Sequence, residues 1–228
     1  MIVNSNSLII FIHIPKTGGT TLTNLILREY PNHFFYDVNK YDIYPKGVSP
    51  FKIEISKADC LWGHFLFGAH AYISQRPFTY ITMMRDPIEQ VFSYFFSTLR
   101  NPQHPEYNKF LNIDFKDYID SEEFFTSTSN IQTRYISGNF VNPDLSLAKE
   151  NINKYFSVVG LTEFFDDSVL LMKNKLYWGD IKYQKENVNT KRPLQSDFPK
   201  EIIDKIREKN LLDLELYQYV KQKMRSGI

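Results

Sequence analysis

One cysteine, nine glycines and no surplus of either charge characterise this 228-residue chain. A single thiol excludes an internal disulfide framework and says little about compartment. Lys and Arg number 27 against 26 Asp and Glu, a formal net charge of +1, so a broad basic surface for nucleic acid or membrane is excluded. Any anionic ligand has to be held by a local cluster. No apolar run is long enough for a transmembrane segment; the best, Leu8 to Ile14, has the length of a strand. A basic region followed by a long apolar segment and a cleavage site is missing at the amino terminus, which gives a cytoplasmic location as the expectation. Repeats and low-complexity tracts are missing too.

What is there is enough for a core. The chain is 43% hydrophobic and 23% charged, the composition of a soluble globular protein, and its length suggests a single domain, 1–228. Aromatics reach 16%, for which core packing is the default account.

Leu8 to Ile14 is a continuous apolar, β-branched run, as in a strand buried on both faces of a parallel sheet. Pro15-Lys16-Thr17-Gly18-Gly19 forms a loop, and Thr20 to Tyr30 reads as a helix with Leu22, Leu25 and Ile26 on one face. Further strands are expected at Asp59–Trp62, Thr79–Met84 and Tyr155–Leu161, with a helix over Phe164–Leu176. After Met84, Asp86 suits a helix N-cap, Pro87 the first helical position and Glu89 the third. Residues 101–153 read as mainly helical and as the acceptor side, with Gly138 stopping a helix over Ile131–Ser137. Two carboxyl-terminal helices follow, with Asp197 and Asp213 as candidate caps. Strands alternating with helices predict a three-layer α/β fold with a mainly parallel sheet.

The strongest local signal is I-P-K-T-G-G-T-T between a buried strand and a helix. Gly18 and Gly19 let backbone N–H groups turn inward as an anion nest, and the helix adds unpaired N–H groups and its positive end. Lys16 supplies a charge, and Thr17, Thr20 and Thr21 supply hydroxyls. A phosphate fits. The order differs from the nucleotide-triphosphate P-loop, in which Lys follows the second Gly, and this counts against a Walker-type ATPase. Arg85 lies at a strand-to-helix junction, the ligand edge of an open α/β sheet, and its donor fork suits a phosphate. Ser93 sits two turns into that helix. An ion pair with Asp86 or Glu89 is the plainer reading of Arg85. His64, after a strand and Gly63, is the candidate base, with His13 and His70 as rivals.

These segments resemble sulfotransferases that use 3′-phosphoadenosine 5′-phosphosulfate (PAPS). F-I-H-I-P-K-T-G-G-T-T-L resembles the 5′-phosphosulfate loop of carbohydrate enzymes related to the heparan sulfate 2-O- and 6-O-sulfotransferases. M-R-D-P-I-E-Q-V-F-S-Y-F resembles their 3′-phosphate signature, with Arg85 and Ser93 at the matching positions. W-G-H-F, I-Q-T-R-Y-I-S-G and V-G-L-T-E-F-F-D-D-S extend the likeness to about Pro193. The resemblance implies a P-loop-like nucleotide-binding core of sulfotransferase type. It implies donor contacts from Lys16, Thr17, Gly18, Gly19, Thr20, Thr21, Arg85 and Ser93, with His64 as base and Lys16 stabilising the departing phosphate. PAPS would donate the sulfuryl group to an acceptor hydroxyl, with a glycan or glycolipid as candidate, and no metal is required.

Several residues stay outside this scheme. His64-x5-His70 is a poor zinc pattern, and Cys60 reads as a buried structural thiol. Arg134 and the pair Lys191-Arg192 are either surface cations or, for the pair, a late loop over the nucleotide. Two other functions remain open: a kinase-like phosphotransferase, which needs Mg²⁺ and a triphosphate, and a non-catalytic nucleotide-binding protein.

Overall fold

The computed structural model describes residues 7–36, 58–72, 76–183 and 193–226; Lys191 and Arg192 lie outside them. Five strands form one parallel sheet in the order β2-β3-β1-β4-β5: β1 Leu8–Ile12, β2 His33–Tyr36, β3 Cys60–Gly63, β4 Phe78–Met84 and β5 Phe156–Leu161. β1 is central and buried on both faces. Leu8, Ile10 and Ile12 join the core beneath one helical layer, and Ile9 and Phe11 join the core beneath the other. Each such side chain contributes about 1.5–3 kcal/mol on burial.

One layer consists of α1 (Gly19–Glu29) and, farther along the chain, α8 (Phe165–Leu176). Between them in sequence lie α2 (Pro87–Thr98), α3 (Tyr107–Leu111), α4 (Phe115–Asp120), α5 (Phe125–Thr128), α6 (Ile131–Ser137) and α7 (Leu145–Tyr155). α9 (Lys200–Lys209) and α10 (Leu211–Arg225) end the chain. α6, α7 and α10 cover the opposite face of the sheet. The three-layer architecture and the parallel sheet therefore match the expectation. β2 does not: four strands were expected, and His33-Phe34-Phe35-Tyr36 makes a fifth, an edge strand after the Pro31-Asn32 turn.

The aromatic excess finds its place in two clusters. Phe92, Phe95, Phe110, Phe115, Tyr118 and Phe124 weld α2 to α4 and the turn before α5, with neighbouring ring centroids 4.6–5.4 Å apart. Phe67, His70, Phe78, Tyr80 and Tyr155 form the second, at the start of β4. There His70 Nδ1 lies 2.9 Å from the Tyr80 hydroxyl. Arg85 follows β4 at its other end, about 20 Å away at ~3.3 Å per residue, so His70 is no rival to His64.

Two proposed caps are corrected. Asp197 accepts the Leu194 N–H within a short 3₁₀ turn, and α9 starts beyond it, with Pro199 as its flanking residue. Asp213 lies inside α10 and caps a different helix. Its carboxylate accepts the N–H groups of Gln132 (2.9 Å) and Thr133 (2.7 Å), the first turn of α6, together with the Thr133 hydroxyl (2.6 Å). In return Asn130 Oδ1 accepts the N–H groups of Leu212 and Asp213 at the start of α10. The two helices cap each other. A polar residue inside a helix reads as a local cap in sequence because the helix it serves is 80 residues away.

Asp213 is fully buried, so Asp213→Ala strands two buried N–H donors and a hydroxyl. At about 1–3 kcal/mol for each of the three unsatisfied groups, urea unfolding is expected to show a loss of at least about 3 kcal/mol. Glu215→Ala, which breaks only the outward ion pair to Lys149, should cost below about 1 kcal/mol. Equal losses would contradict the reciprocal cap.

Candidate active site

The register of the sheet decides what meets at its carboxyl end. Ile12 pairs with Gly63 on one side and Thr82 on the other, so His13 and His64 emerge side by side. Met84 pairs with Leu161, which brings Arg85 beside Thr162. The loop after β1 thus enters a space bounded by the ends of β3, β4 and β5, where open parallel sheets hold ligands.

Between β1 and α1 every carbonyl from Ile12 to Thr17 accepts a hydrogen bond from a side chain. Thr82 Oγ1 donates to Ile12 O (2.7 Å), and His64 Nδ1 lies 2.6 Å from His13 O. Thr17 Oγ1 donates to Ile14 O (2.8 Å) and Gln90 Nε2 to Pro15 O (2.7 Å). Arg85 Nη1 donates to Lys16 O (3.2 Å), and Thr162 Oγ1 to Thr17 O (2.8 Å). With the oxygens drawn outward, the N–H groups of Lys16, Thr17 and Gly18 meet no acceptor among the described residues. Lys16 (φ 67°) and Gly18 (φ 78°) are both left-handed, which bends the chain into a nest. Gly18 tolerates this without cost; for Lys16 the conformation costs about 1–2 kcal/mol. The nest continues into the unpaired first turn of α1.

His13 and His64 form a second feature. Their ring centroids are 4.4 Å apart, and His13 stacks in turn on Phe11 at 5.5 Å. A carbonyl can only accept, so the contact with His13 O assigns the proton to His64 Nδ1 and leaves Nε2 with a free lone pair. Desolvation lowers the His64 pKa below its ordinary value, with Lys16 acting in the same direction against the carbonyl contact. His13 is pushed down to about 3 by burial and then by His64 and Lys16, so it stays neutral. Its Nε2 occupies the space that a Cβ on Gly19 would fill, 1.6 Å from that position. The two glycines therefore differ in purpose: Gly18 supplies a backbone angle, and Gly19 makes room for an imidazole.

Positive charge gathers beside the loop. Lys16 is lowered to about 8 by desolvation, then by the charges of Arg85 and Arg100. Arg85 forms the ion pair with Glu89 (3.4 Å), while Asp86 caps α2 through the N–H groups of Ile88 (3.0 Å) and Glu89 (3.1 Å). Ser93 is half-buried on α2, and its hydroxyl has no partner among the described residues. Thr20 is exposed at the second position of α1 and Thr21 is buried beneath it. The Thr17 hydroxyl points inward, so that residue presents its N–H to the nest. Lys16, Gly18, Gly19, Thr20, His64 and Arg85 are thereby brought to one sheet edge. Among the described residues no three His, Cys, Asp or Glu side chains group as metal ligands, and no helix is long and apolar enough to cross a membrane.

A family model of the sulfotransferase family matches residues 1–220. The chain belongs to the sulfotransferase family. It is 25% identical over 233 aligned positions to galactose-3-O-sulfotransferase 3 of Mus musculus, Bos taurus and Homo sapiens, an alignment covering 92% of this chain. It spans about half the length of those relatives, 54–55%. A crystal structure of a sulfotransferase from Alicyclobacillus acidocaldarius superposes with a TM-score of 0.54 at 12% identity, covering 98% of this chain and 100% of that one. That likeness shows the fold.

Three residues that hold this candidate site together do not stand out in the sequence: Gln90, Thr162 and Gln132. Gln90 is 2% exposed on a helix face otherwise made of Ile88, Val91 and Phe92; an amide within an apolar stripe was the available signal. Thr162 and Gln132 lay in stretches read only as familial. Arg134, left between surface and function, is buried. Its Nε donates to Ser129 O, its Nη1 to Phe140 O and Val141 O, and Phe125 covers its guanidinium. Cys60 is fully buried in β3, its thiol pushed far above the usual range by desolvation.

The glycine pair gives a ranked prediction. Gly18→Ala should cost about 1 kcal/mol from left-handed strain alone. Gly19→Ala should displace the His13 ring and lower both thermal stability and anion affinity further. Adding His13→Ala to Gly19→Ala should recover much of that stability; a double variant no more stable than Gly19→Ala would refute the packing account.

Proposed function

We propose that the chain transfers a sulfuryl group from PAPS to an acceptor hydroxyl, yielding adenosine 3′,5′-bisphosphate and a sulfate ester. The observation that carries this reading is the nest between β1 and α1, with six carbonyls tied back and Lys16 at its rim. It suits the 5′-phosphosulfate of the donor, and Arg85 with Ser93 suits the 3′-phosphate. A Walker arrangement would need its lysine after Gly19, where Thr20 stands.

The chemistry assigned to the chain's residues is short. His64 Nε2 takes the proton of the acceptor hydroxyl while its Nδ1–H stays on the His13 carbonyl. The acceptor oxygen bonds to sulfur as the bond from sulfur to the phosphate oxygen breaks, and its electron pair goes to the phosphate. The Lys16 ammonium and the nest N–H groups stabilise that growing charge without reorganising. A carbohydrate hydroxyl is the proposed acceptor class, supported by relatives named for galactose.

Calorimetry is expected to show adenosine 3′,5′-bisphosphate binding at least about tenfold more tightly than 5′-AMP, ~1.4 kcal/mol. Equal affinities would end the assignment of Arg85 and Ser93. His64→Ala should retain that binding while labelled-sulfate transfer to glycans falls by about 10²–10⁴.

The pH profile follows from two lowered pKa values. His64 must be neutral, so kcat/KM should fall only as pH drops below His64's depressed value. Lys16 must be charged, and in the free enzyme it loses its proton near pH 8, so kcat/KM should fall again above about 8. Lys16→Arg should move that alkaline limb upward, whatever it does to the rate. A limb left in place would show that another group causes it.

A further inference from the structure

We infer that Gln132 is a positioning residue that sets the backbone of Arg85, and through it the recognition of the donor's 3′-phosphate; the inference rests on the donor reading above. Gln132 is completely buried on α6. Its Oε1 accepts the Arg85 N–H at 2.9 Å and its Nε2 donates to the Arg85 carbonyl at 2.8 Å. Arg85 is the first residue beyond β4, where ladder pairing with β5 has ended at Met84 and Leu161. The amide therefore does what another strand would do: it satisfies both backbone groups of one residue at once.

Only a side chain with a donor and an acceptor on neighbouring atoms can close this pair. Glutamine reaches it from α6; methionine matches its length with neither group, and asparagine is one methylene short. With its backbone held, Arg85 projects between the nest and α2, where its guanidinium meets Lys16 O at 3.2 Å and Glu89 at 3.4 Å. A rotation at this residue would carry the charged fork away from the nest.

Gln132 is itself held. Its N–H donates to Asp213 of α10 at 2.9 Å, and the adjacent Thr133 gives that carboxylate two more bonds. An unbroken series of hydrogen bonds thus runs from the carboxyl-terminal helix through α6 to Arg85. Within I-Q-T-R-Y-I-S-G, Gln132 is tied to the proposed ligand site through the backbone of Arg85. The glutamine matters because the residue it grips is the one that reads the ligand.

The test separates positioning from ordinary stabilisation by using two ligands on the whole chain. Affinities for adenosine 3′,5′-bisphosphate and 5′-AMP are measured for the wild type, Gln132→Met, Arg85→Ala and the double variant. Gln132→Met is expected to weaken the bisphosphate at least about tenfold more than it weakens 5′-AMP, which loses only the Arg85 tether on Lys16 O, and to add little in the Arg85→Ala background. Thr133→Val, which removes one bond to Asp213 and leaves the Arg85 pair intact, should lower the melting temperature with the ligand ratio unchanged. Should Gln132→Met not fold, Gln132→Asn is read the same way. A wild type that does not prefer the bisphosphate overturns the donor reading and this inference with it. A preference that survives in the Gln132 variant, or a variant that loses both ligands equally, overturns the inference alone.

Discussion

Everything at the site depends on where six carbonyl oxygens point. A peptide unit carries its donor and acceptor on opposite sides, so tying back the oxygens of Pro15, Lys16 and Thr17 leaves the N–H groups of Lys16, Thr17 and Gly18 without an acceptor among the described residues, while the His13 N–H stays on Gly63 O. The tethers come from β4 (Thr82), the turn after β3 (His64), the loop itself (Thr17), α2 (Gln90), the residue after β4 (Arg85) and the residue after β5 (Thr162). Most of them belong to strands that flank β1 or follow its neighbours. The nest is therefore a product of the assembled sheet, since a free peptide of the same sequence lacks five of its six restraints.

The same arrangement concentrates unfavourable energy. Lys16 has a left-handed backbone and a desolvated ammonium beside two arginine charges, which is why its pKa falls to about 8. A polyanion would offset the electrostatic cost, since its phosphates would favour the charged lysine and give the nest N–H groups acceptors, while the left-handed backbone keeps its cost. By linkage, such a ligand should stabilise the fold in proportion to how far its concentration exceeds Kd. A net charge of +1 is thus compatible with a strongly anionic ligand. What matters is the placement of Lys16, Arg85 and Arg100 around one loop end.

The residues proposed to face the ligand are legible in the sequence, and those that hold them are not. Lys16, Gly18, Gly19 and Arg85 stand at strand-to-helix junctions, so local pattern locates them without knowledge of the tertiary structure. Gln90, Gln132 and Thr162 act through contacts spanning 75, 47 and 145 residues. No periodicity encodes such a contact. β2 was missed for another reason: four residues, three of them aromatic, form an edge strand too short for alternation to show. Asp213 reads in sequence as a cap of its own helix and serves another, because proximity in sequence is the only local guide to its partner.

His13 shows how a half-buried residue and a glycine can be one decision. An imidazole at this position needs a helix that begins without a side chain, and Gly19 provides that opening. The ring then lies beside His64 at 4.4 Å, tilted by 31°, so it must be uncharged, since two imidazolium ions at that distance would repel strongly in a desolvated setting. Burial supplies this condition by pushing His13 down to about 3. A neutral neighbour leaves the proton affinity of His64 to be set by its own desolvation, Lys16 and the His13 carbonyl. Replacing His13 with a permanent cation of similar reach would break that condition even if the shape were preserved. The histidine is suited to this place by the ease with which it stays neutral.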